Sequence, residues 1–109
     1  MAVNTAKEVF DTHLPARLQA KKDTLAKINA KYKFVLNGDG GGTWVVDLTT
    51  PGGSVTAGEG QANCTITMAA KDFVDLINGK LNGQMAFMTG KLKVAGDMGL
   101  AMKLQQVLG

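Results

Sequence analysis

Apolar side chains follow a helical spacing through the first thirty residues of the chain. Between residues 4 and 30 they recur at about one or two helical turns with charged residues between them, at Phe10, Leu14, Leu18, Leu25 and Ile28. This spacing predicts an amphipathic helical segment. Because Pro15 lacks an amide donor and Asp23 is a suitable N-cap, we expect two or three short helices rather than one long helix.

The spacing changes to a period of two after residue 31, which is typical of strands. Tyr32, Phe34 and Leu36 point to one side of such a strand, and the alternation returns from Trp44 after a glycine-rich stretch at 38–42. These two runs predict an antiparallel hairpin. Shorter runs of the same kind predict three further strands, at residues 54–57, 64–68 and 91–95.

Helical spacing returns after the fourth strand. Residues 69–78 predict a helix that ends at Gly79, and residues 84–88 predict another short turn. A final helix is predicted from Asp97, a good N-cap, to Leu108. The predicted fold class is therefore α+β, with a five-stranded, mostly antiparallel sheet covered on one face by helices.

Methionine is concentrated in the second half of the chain. Five of the six methionines lie between residues 64 and 106, and this adaptable side chain suits either an irregular core gap or a deformable ligand cavity. The final helix carries two stripes at helical spacing: Met98, Ala101, Met102 and Gln105 on one side, and Leu100, Leu104 and Leu108 on another. We expect such a helix to be enclosed, either by protein alone or by protein on one side and a ligand on the other.

Composition narrows the class of protein. A chain of 109 residues with 45% hydrophobic residues is expected to form one domain, assigned to residues 1–109. Its single cysteine, Cys64, and single histidine build neither an internal disulfide nor a zinc site, and we expect Cys64 to be a buried apolar side chain. No apolar run is long enough to span a bilayer, and the N-terminus has no signal-peptide pattern, so we expect an unsecreted protein.

The net charge of +3 is unevenly distributed along the chain. Residues 1–33 carry seven basic and three acidic side chains, a net charge of +4, so the rest of the chain carries −1. The basic face of the opening helices has two interpretations. It makes transient contact with anionic membranes, or it simply keeps the helices solvated.

Short strings that resemble catalytic or cofactor motifs do not fit the chemistry of those sites. Gly38, Gly40 and Gly42 precede a predicted strand, whereas a dinucleotide site needs a helix directly after its glycines. His13 has no marked nucleophile beside it, and no pair of carboxylates is placed for acid–base catalysis. We expect no enzyme activity, cofactor or metal. Nucleic-acid binding is disfavoured because the aromatic residues fall mainly on inward-facing positions.

Several segments carry a resemblance to a known family. They are residues 43–47 (TWVVD), 64–68 (CTITM), 72–73 (DF), 79–82 (GKLN), 86–87 (AF), 90–94 (GKLKV) and 96–105 (GDMGLAMKLQ). On these segments the chain resembles the sterol carrier protein-2 family of small lipid-binding domains. The resemblance implies a hydrophobic lipid tunnel between the sheet and the C-terminal helices.

The resemblance also implies a function and a location. The implied function is noncovalent binding and transfer of lipids, namely fatty acids, fatty acyl-CoA, sterols or phospholipids. The alternative is an accessory domain that presents lipid substrates to a partner lipid-metabolising enzyme. Eukaryotic members of the family commonly end in a peroxisomal targeting tripeptide, whereas this chain ends in Val107, Leu108 and Gly109, so we expect a cytoplasmic location. We also expect the protein to be a monomer.

Candidate lipid-binding residues follow from both arguments. Periodicity predicts that their side chains point inward, and the family resemblance implies that they lie near the ligand. The candidates are Trp44, Val46, Phe73, Ile77, Leu81, Phe87, Met88, Met98 and Met102, with Gln105 as a polar contact.

Overall fold

A computed structural model describes residues 5–50 and 53–103 of the chain. In this part, five strands form one sheet: β1 (Lys31–Asn37), β2 (Gly42–Asp47), β3 (Ser54–Ala57), β4 (Cys64–Ala69) and β5 (Leu92–Gly96). Their order in the sheet is β3-β2-β1-β4-β5. The β1–β4 pairing is parallel, and the other three pairings are antiparallel. The predicted five-stranded, mostly antiparallel sheet is confirmed.

The predicted hairpin joins β1 to β2, with Phe34 opposite Trp44 in the register. Its turn contains Gly38 and Gly40 at φ values of +87° and +76°, which glycine adopts readily because it has no Cβ. The amide of Gly41 donates a hydrogen bond of 3.0 Å to the carbonyl of Gly38. The glycine-rich stretch is therefore the turn that the alternation of the flanking strands predicts.

The N-terminal segment is a series of short helical pieces, as predicted: α1 (Ala6–Glu8), a π-helical turn (Val9–His13), α2 (Leu14–Ala20) and α3 (Lys22–Ala26). The amide of Leu14 donates to the carbonyl of Val9, five residues earlier. In a regular helix, the ring of Pro15 would crowd the carbonyl four residues before it, and the wider π-helical turn relieves this conflict.

The predicted cap of α3 is wrong. Asp23 lies within the first turn of the helix, and the N-cap position belongs to Lys21, which makes no side-chain capping bond. The helical break falls at Lys21, with φ of −116° and ψ of 25°, two residues before the position that the capping preference indicated. A carboxylate in the first turn still stabilises a helix through the helix dipole, so Asp23 is compatible with this position.

Three further helices follow the fourth strand: α4 (Ala70–Ile77), α5 (Gly83–Met88) and α6 (Met98–Met102). Gly79 at φ of +79° follows the end of α4, as predicted. Asn82 caps α5, since its Oδ1 accepts hydrogen bonds from the amides of Gln84 and Met85 at 2.9 and 3.2 Å. Asp97 caps α6 in the predicted way, with bonds from the amides of Gly99 and Leu100 at 2.8 and 3.3 Å. The described helix ends at Met102 and Lys103 lies in a turn, so the continuous helix predicted through Lys103 is wrong. Its predicted end at Leu108 lies outside the described residues.

The helices cover one face of the sheet. Phe10 from the π-helical turn and Phe73 from α4 both lie against Phe34 of β1, with ring centroids 5.5 and 5.6 Å away. From the same face of β1, the hydroxyl of Tyr32 donates a hydrogen bond of 2.5 Å to the carbonyl of Leu100 in α6. The core therefore lies between the sheet and the helices, and alternate residues of β1, β2 and β4 are buried in it.

Candidate functional site

Three of the candidate residues belong to the closed core. Trp44 is 9% exposed, and Val46 and Phe73 are fully buried. Phe10 stacks between the two aromatic candidates, with its ring centroid 4.4 Å from that of Trp44 and 5.2 Å from that of Phe73. The inward direction predicted for these side chains is confirmed. Their contact with a ligand, and the tunnel itself, stay predictions.

Two candidates lie at the margin of this core. Ile77 at the end of α4 and Leu81 in the following turn are partly buried and pack against the core. Gly79 lies between them at a positive φ and allows the chain to reverse after α4. The chain therefore keeps both side chains in contact with the buried residues while leaving part of each one accessible.

The inward direction predicted for the remaining described candidates is wrong. Phe87 is 46% exposed, Met88 78%, Met98 50% and Met102 85%. Met85, which the sequence argument did not place in the site, is also 56% exposed. We call these five side chains the methionine surface. They belong to α5 and α6, and both helices contact β5.

Short helices explain why these side chains are exposed. The six residues of α5 bury only Ala86 fully, so the larger residues on either side of it are left at the surface. In α6, the cap by Asp97 and the hydrogen bond from Tyr32 hold the helix with Leu100 against the sheet. Spacing at i and i+3 links Met85 to Met88, and this signal in the sequence would have added Met85 to the candidates.

The two stripes predicted for the final helix have different environments in α6. Leu100 from one stripe is buried at 9% exposure, whereas Met98 and Met102 from the other are exposed. Protein therefore covers only one side of the described helix, and a ligand on the other side stays a prediction. The polar candidate Gln105 lies outside the described residues.

Two titratable groups lie beneath α6, and both are neutral at physiological pH. Burial raises the pKa of Tyr32 to about 12, and negative charge on Cys64 and Asp97 acts in the same direction. Burial also raises the pKa of the Cys64 thiol, and the carboxylate of Asp97 adds to this effect. Cys64 is fully buried, as predicted, so it has neither the thiolate character nor the access that a nucleophile needs.

A separate concavity lies between α2, α3 and the strand ends. It is lined by Leu18, Lys22, Leu25, Ala26, Leu48, Thr50 and Gly53, and none of the candidates within residues 5–50 and 53–103 lines it. Its empty volume is about 180 Å³ including space open to solvent, which is below the roughly 300–1,000 Å³ of ligand pockets. This concavity is too small for a lipid.

Other kinds of site are not found in the described part of the chain. Residues 5–50 and 53–103 contain no group of three or more His, Cys, Asp or Glu side chains arranged to hold a metal ion. Among the same residues, no helix has both the length and the apolar character needed to cross a membrane.

Comparison with known proteins decides the family. The family described as "SCP-2 sterol transfer family" matches residues 12–109, which is most of the sequence. The chain belongs to this family. The fold supports the assignment, because the mixed sheet with helices on one face is also the architecture of solved sterol carrier proteins.

Similar proteins in this family include segments of longer chains. Hydroxysteroid dehydrogenase-like protein 2 of Bos taurus is 44% identical over 88 residues, which are 79% of this chain and 21% of that protein. Sterol carrier protein 2 of Homo sapiens is 52% identical over 85 residues, which are 74% of this chain and 16% of that protein. The chain thus matches only about a fifth of the length of these curated relatives.

Solved structures of the family have the same fold. Sterol carrier protein 2 of Yarrowia lipolytica, in its apo form, gives a TM-score of 0.73 at 33% identity, covering 93% of this chain and 84% of that chain. Sterol carrier protein domain 2 of Helicoverpa armigera gives a TM-score of 0.73 at 36% identity, covering 99% of this chain and 91% of that chain. Palmitated SCP2L2 of Aedes aegypti gives a TM-score of 0.64 at 25% identity, covering 87% of this chain and 90% of that chain.

Proposed function

We propose that this chain is a noncovalent lipid carrier that holds the apolar part of its ligand against the methionine surface. One observation carries the proposal: a member of the SCP-2 sterol transfer family exposes five large apolar side chains on two helices that contact the same strand. Large apolar side chains grouped in this way typically mark a binding site. Four of them are methionines, whose flexible side chains adapt to ligands of different shape.

The physical basis of binding is burial of the hydrocarbon. Each buried methylene contributes about 0.8 kcal/mol, so a sixteen-carbon chain has on the order of 12 kcal/mol of gross driving force before association and ordering costs. Such binding makes and breaks no covalent bond, and it needs few directional contacts. We therefore propose broad selectivity among fatty acids, fatty acyl-CoA, sterols and phospholipids. The palmitated relative from Aedes aegypti supports the first class.

The closed core suggests an order of contacts. Ligand first meets the methionine surface together with Ile77 and Leu81, which are only partly buried. Deeper contact with Trp44 or Phe73 requires the stack around Phe10 to open, because these rings now fill the space between helix and sheet. The tunnel proposed from the family resemblance would form in this way when a ligand is bound.

A second candidate function is supported by the lengths of the relatives. The matched segment is 21% of hydroxysteroid dehydrogenase-like protein 2, so a similar domain occurs there within a much longer chain. In this alternative, the same surface presents a lipid to a partner lipid-metabolising enzyme. The partner, the monomeric state and the cytoplasmic location all stay predictions.

Native mass spectrometry of protein purified without detergent tests the carrier function directly. We expect about one lipid per chain, identified after organic extraction and displaced by added palmitoyl-CoA or sterol. A protein that arrives empty and takes up neither palmitate nor sterol would show that the carrier proposal is wrong.

A pair of neighbouring variants tests whether the methionine surface holds the ligand. Met102→Gln keeps the length of the side chain and removes its apolar character, and Lys103→Gln is its control because both residues are exposed. Since burying a Met side chain contributes roughly 1.5–3 kcal/mol, we expect Met102→Gln to weaken palmitate binding about tenfold or more and Lys103→Gln to leave it unchanged. Equal affinities of both variants and the parent would place the ligand elsewhere.

A further inference from the structure

The fold divides the sulfur atoms of the protein into a buried and an exposed group. In the described part of the chain, residues 5–50 and 53–103, Cys64 and Met68 on β4 are buried. The other methionines there are at least half exposed, and all of them belong to the methionine surface: Met85, Met88, Met98 and Met102. We call these the four exposed methionines. Reagents dissolved in water reach their sulfur atoms but do not reach those of the core.

Exposed thioethers are open to oxidation by peroxides. A lone pair of the methionine sulfur attacks one oxygen of hydrogen peroxide, an S–O bond forms as the O–O bond breaks, and the products are methionine sulfoxide and water. The sulfur loses two electrons and the peroxide gains them, so the reaction needs no other reactant. Access of the peroxide to the sulfur therefore decides which methionines react.

The cysteine does not compete for the oxidant. A thiol reacts with peroxide as its thiolate, and both burial and the carboxylate of Asp97 raise the pKa of the Cys64 thiol. Its side chain is also fully enclosed by the core. The four exposed methionines are therefore the sulfur groups of the described residues that peroxide meets first.

Oxidation changes the surface and leaves the core intact. A sulfoxide turns a flexible apolar side chain into a polar one, and of the five side chains of the methionine surface only Phe87 would stay apolar. The four exposed methionines are not part of the hydrophobic core, so the packing of the domain does not depend on them. The same reaction at Met68 would place a polar group inside the core.

We propose that hydrogen peroxide modifies the four exposed methionines and that the resulting sulfoxides release the lipid. In the thioether form the methionine surface holds hydrocarbon, and in the sulfoxide form water solvates it. Methionine sulfoxide reductases restore the thioether, so the change is reversible. The inference rests on the proposed carrier function, because it assigns the regulation of the same surface.

Peptide mapping by mass spectrometry tests which methionines react. In the folded protein treated with hydrogen peroxide, we expect each of the four exposed methionines to gain one oxygen and Met68 to react at least about tenfold more slowly. In urea, Met68 should react as fast as the others, because unfolding removes its cover. Equal rates in the folded protein would overturn the assignment of the site.

Palmitate titration before and after oxidation tests the effect on binding. We expect the oxidised protein to bind palmitate at least about tenfold more weakly, with an unchanged midpoint of urea unfolding. Methionine sulfoxide reductases A and B together, with a thiol reductant, should restore the affinity, since each enzyme reduces one sulfoxide epimer. Undiminished affinity after complete oxidation would overturn the proposal. So would a loss of affinity that accompanies unfolding, because the core would then be the site of damage.

Leucine variants separate the four exposed methionines from every other target of peroxide. Leucine has a similar volume and apolar character but no sulfur. The surface variant combines Met85→Leu, Met88→Leu, Met98→Leu and Met102→Leu, and its matched control is Met68→Leu in the core. Each protein is compared with its own untreated form. We expect peroxide to leave the affinity of the surface variant at its untreated value and to weaken that of the control as in the parent. An equal loss in both variants would refute the proposal.

Protection by cargo separates this inference from the proposed function. Bound palmitate covers the methionine surface, so saturating palmitate should slow oxidation of the four exposed methionines. Unchanged oxidation rates in a protein that binds palmitate would overturn this inference and leave the carrier function intact. An untreated parent protein that takes up no palmitate would instead refute the carrier function, and the release of lipid with it.

Discussion

Tyr32 connects the centre of the sheet to the helix that carries half of the exposed candidates. It is fully buried, and its hydroxyl donates to the backbone carbonyl of Leu100 rather than to a side chain. This bond fixes the position of α6 and at the same time satisfies a buried polar atom, which would otherwise cost roughly 1–3 kcal/mol. Tyr32 therefore contributes both to the core and to the placement of the helix that carries Met98 and Met102.

The pKa of Tyr32 predicts a loss of stability in alkali. Below about pH 10 the phenol is protonated in both states, so it gives no pH dependence. Above pH 10 the unfolded chain releases the proton while the folded protein, with a pKa of about 12, retains it. The free energy of unfolding should therefore fall between these pH values. Urea unfolding across this range measures the loss.

Tyr32→Phe is the control for this titration. The thiol of Cys64 also has a raised pKa, so it too lowers the free energy of unfolding as the pH rises. The contribution of Tyr32 is therefore the difference between the parent and the variant. Tyr32 is the only tyrosine, and the ultraviolet absorbance of tyrosinate therefore reports this residue alone. Ionisation near pH 10 in the folded protein, or the same alkaline loss in Tyr32→Phe, would contradict the prediction.

At the scale of elements, three segments meet around Asn63. Its side-chain oxygen accepts a hydrogen bond of 2.9 Å from the backbone amide of Lys31. Its backbone amide donates a hydrogen bond of 3.0 Å to the carbonyl of Lys31. Its own carbonyl accepts from the amide of Asp97 at 3.0 Å. The starts of β1, β4 and α6 are thereby joined. Gly96 lies beside this junction at φ of +101°, where β5 gives way to the cap of α6.

Two glycine substitutions test the closeness of this junction. A Cβ at Gly96 would lie 2.4 Å from the carbonyl oxygen of Asn63, whereas a Cβ at Gly90, at φ of +80°, would meet nothing within 4 Å. Gly90→Ala should cost only the backbone strain, about 1–2 kcal/mol. Gly96→Ala should cost at least about 2 kcal/mol more, because backbone atoms must move. Denaturant unfolding measures the free energy of unfolding of both variants. Equal losses would show that the backbone around Gly96 accommodates a Cβ without cost beyond the strain.

At the scale of the whole molecule, an aromatic cluster joins the N-terminal helices to the sheet. Phe10 lies nearly parallel to both Trp44 and Phe73, with interplanar angles of 8° and 1°. It also contacts Phe34 on the central strand. Its ring therefore connects the π-helical turn, α4 and two strands.

Phe10→Ala should destabilise the protein by about 3–5 kcal/mol, since it removes a large buried side chain and leaves a cavity. Thr12→Ala in the same π-helical turn is the control, because Thr12 is exposed and its loss should change stability by only about 0.5 kcal/mol. Fluorescence of Trp44, the only tryptophan, follows urea unfolding and reports the local packing. A loss in Phe10→Ala no larger than in the control would show that the ring is not a central contact.

The core was more predictable from sequence than the site, for a physical reason. Alternation at Tyr32, Phe34, Trp44 and Ile66 follows from the geometry of a strand, and all four are buried. The candidates on α5 and α6 had the same apolar character, yet these helices are only six and five residues long. A helix of one or two turns presents too few residues for its spacing to define which side is covered.

Local physical chemistry therefore made the strands, the glycine turn, the cap at Asp97 and the family resemblance readable from the sequence alone. These features depend on neighbouring residues, on backbone geometry and on side-chain type. Only the tertiary structure decided that Met85, Phe87, Met88, Met98 and Met102 face outward, because exposure depends on what other elements occupy the space. The hydrogen bond from Tyr32 to Leu100 joins residues 68 positions apart, and no local pattern encodes such a contact.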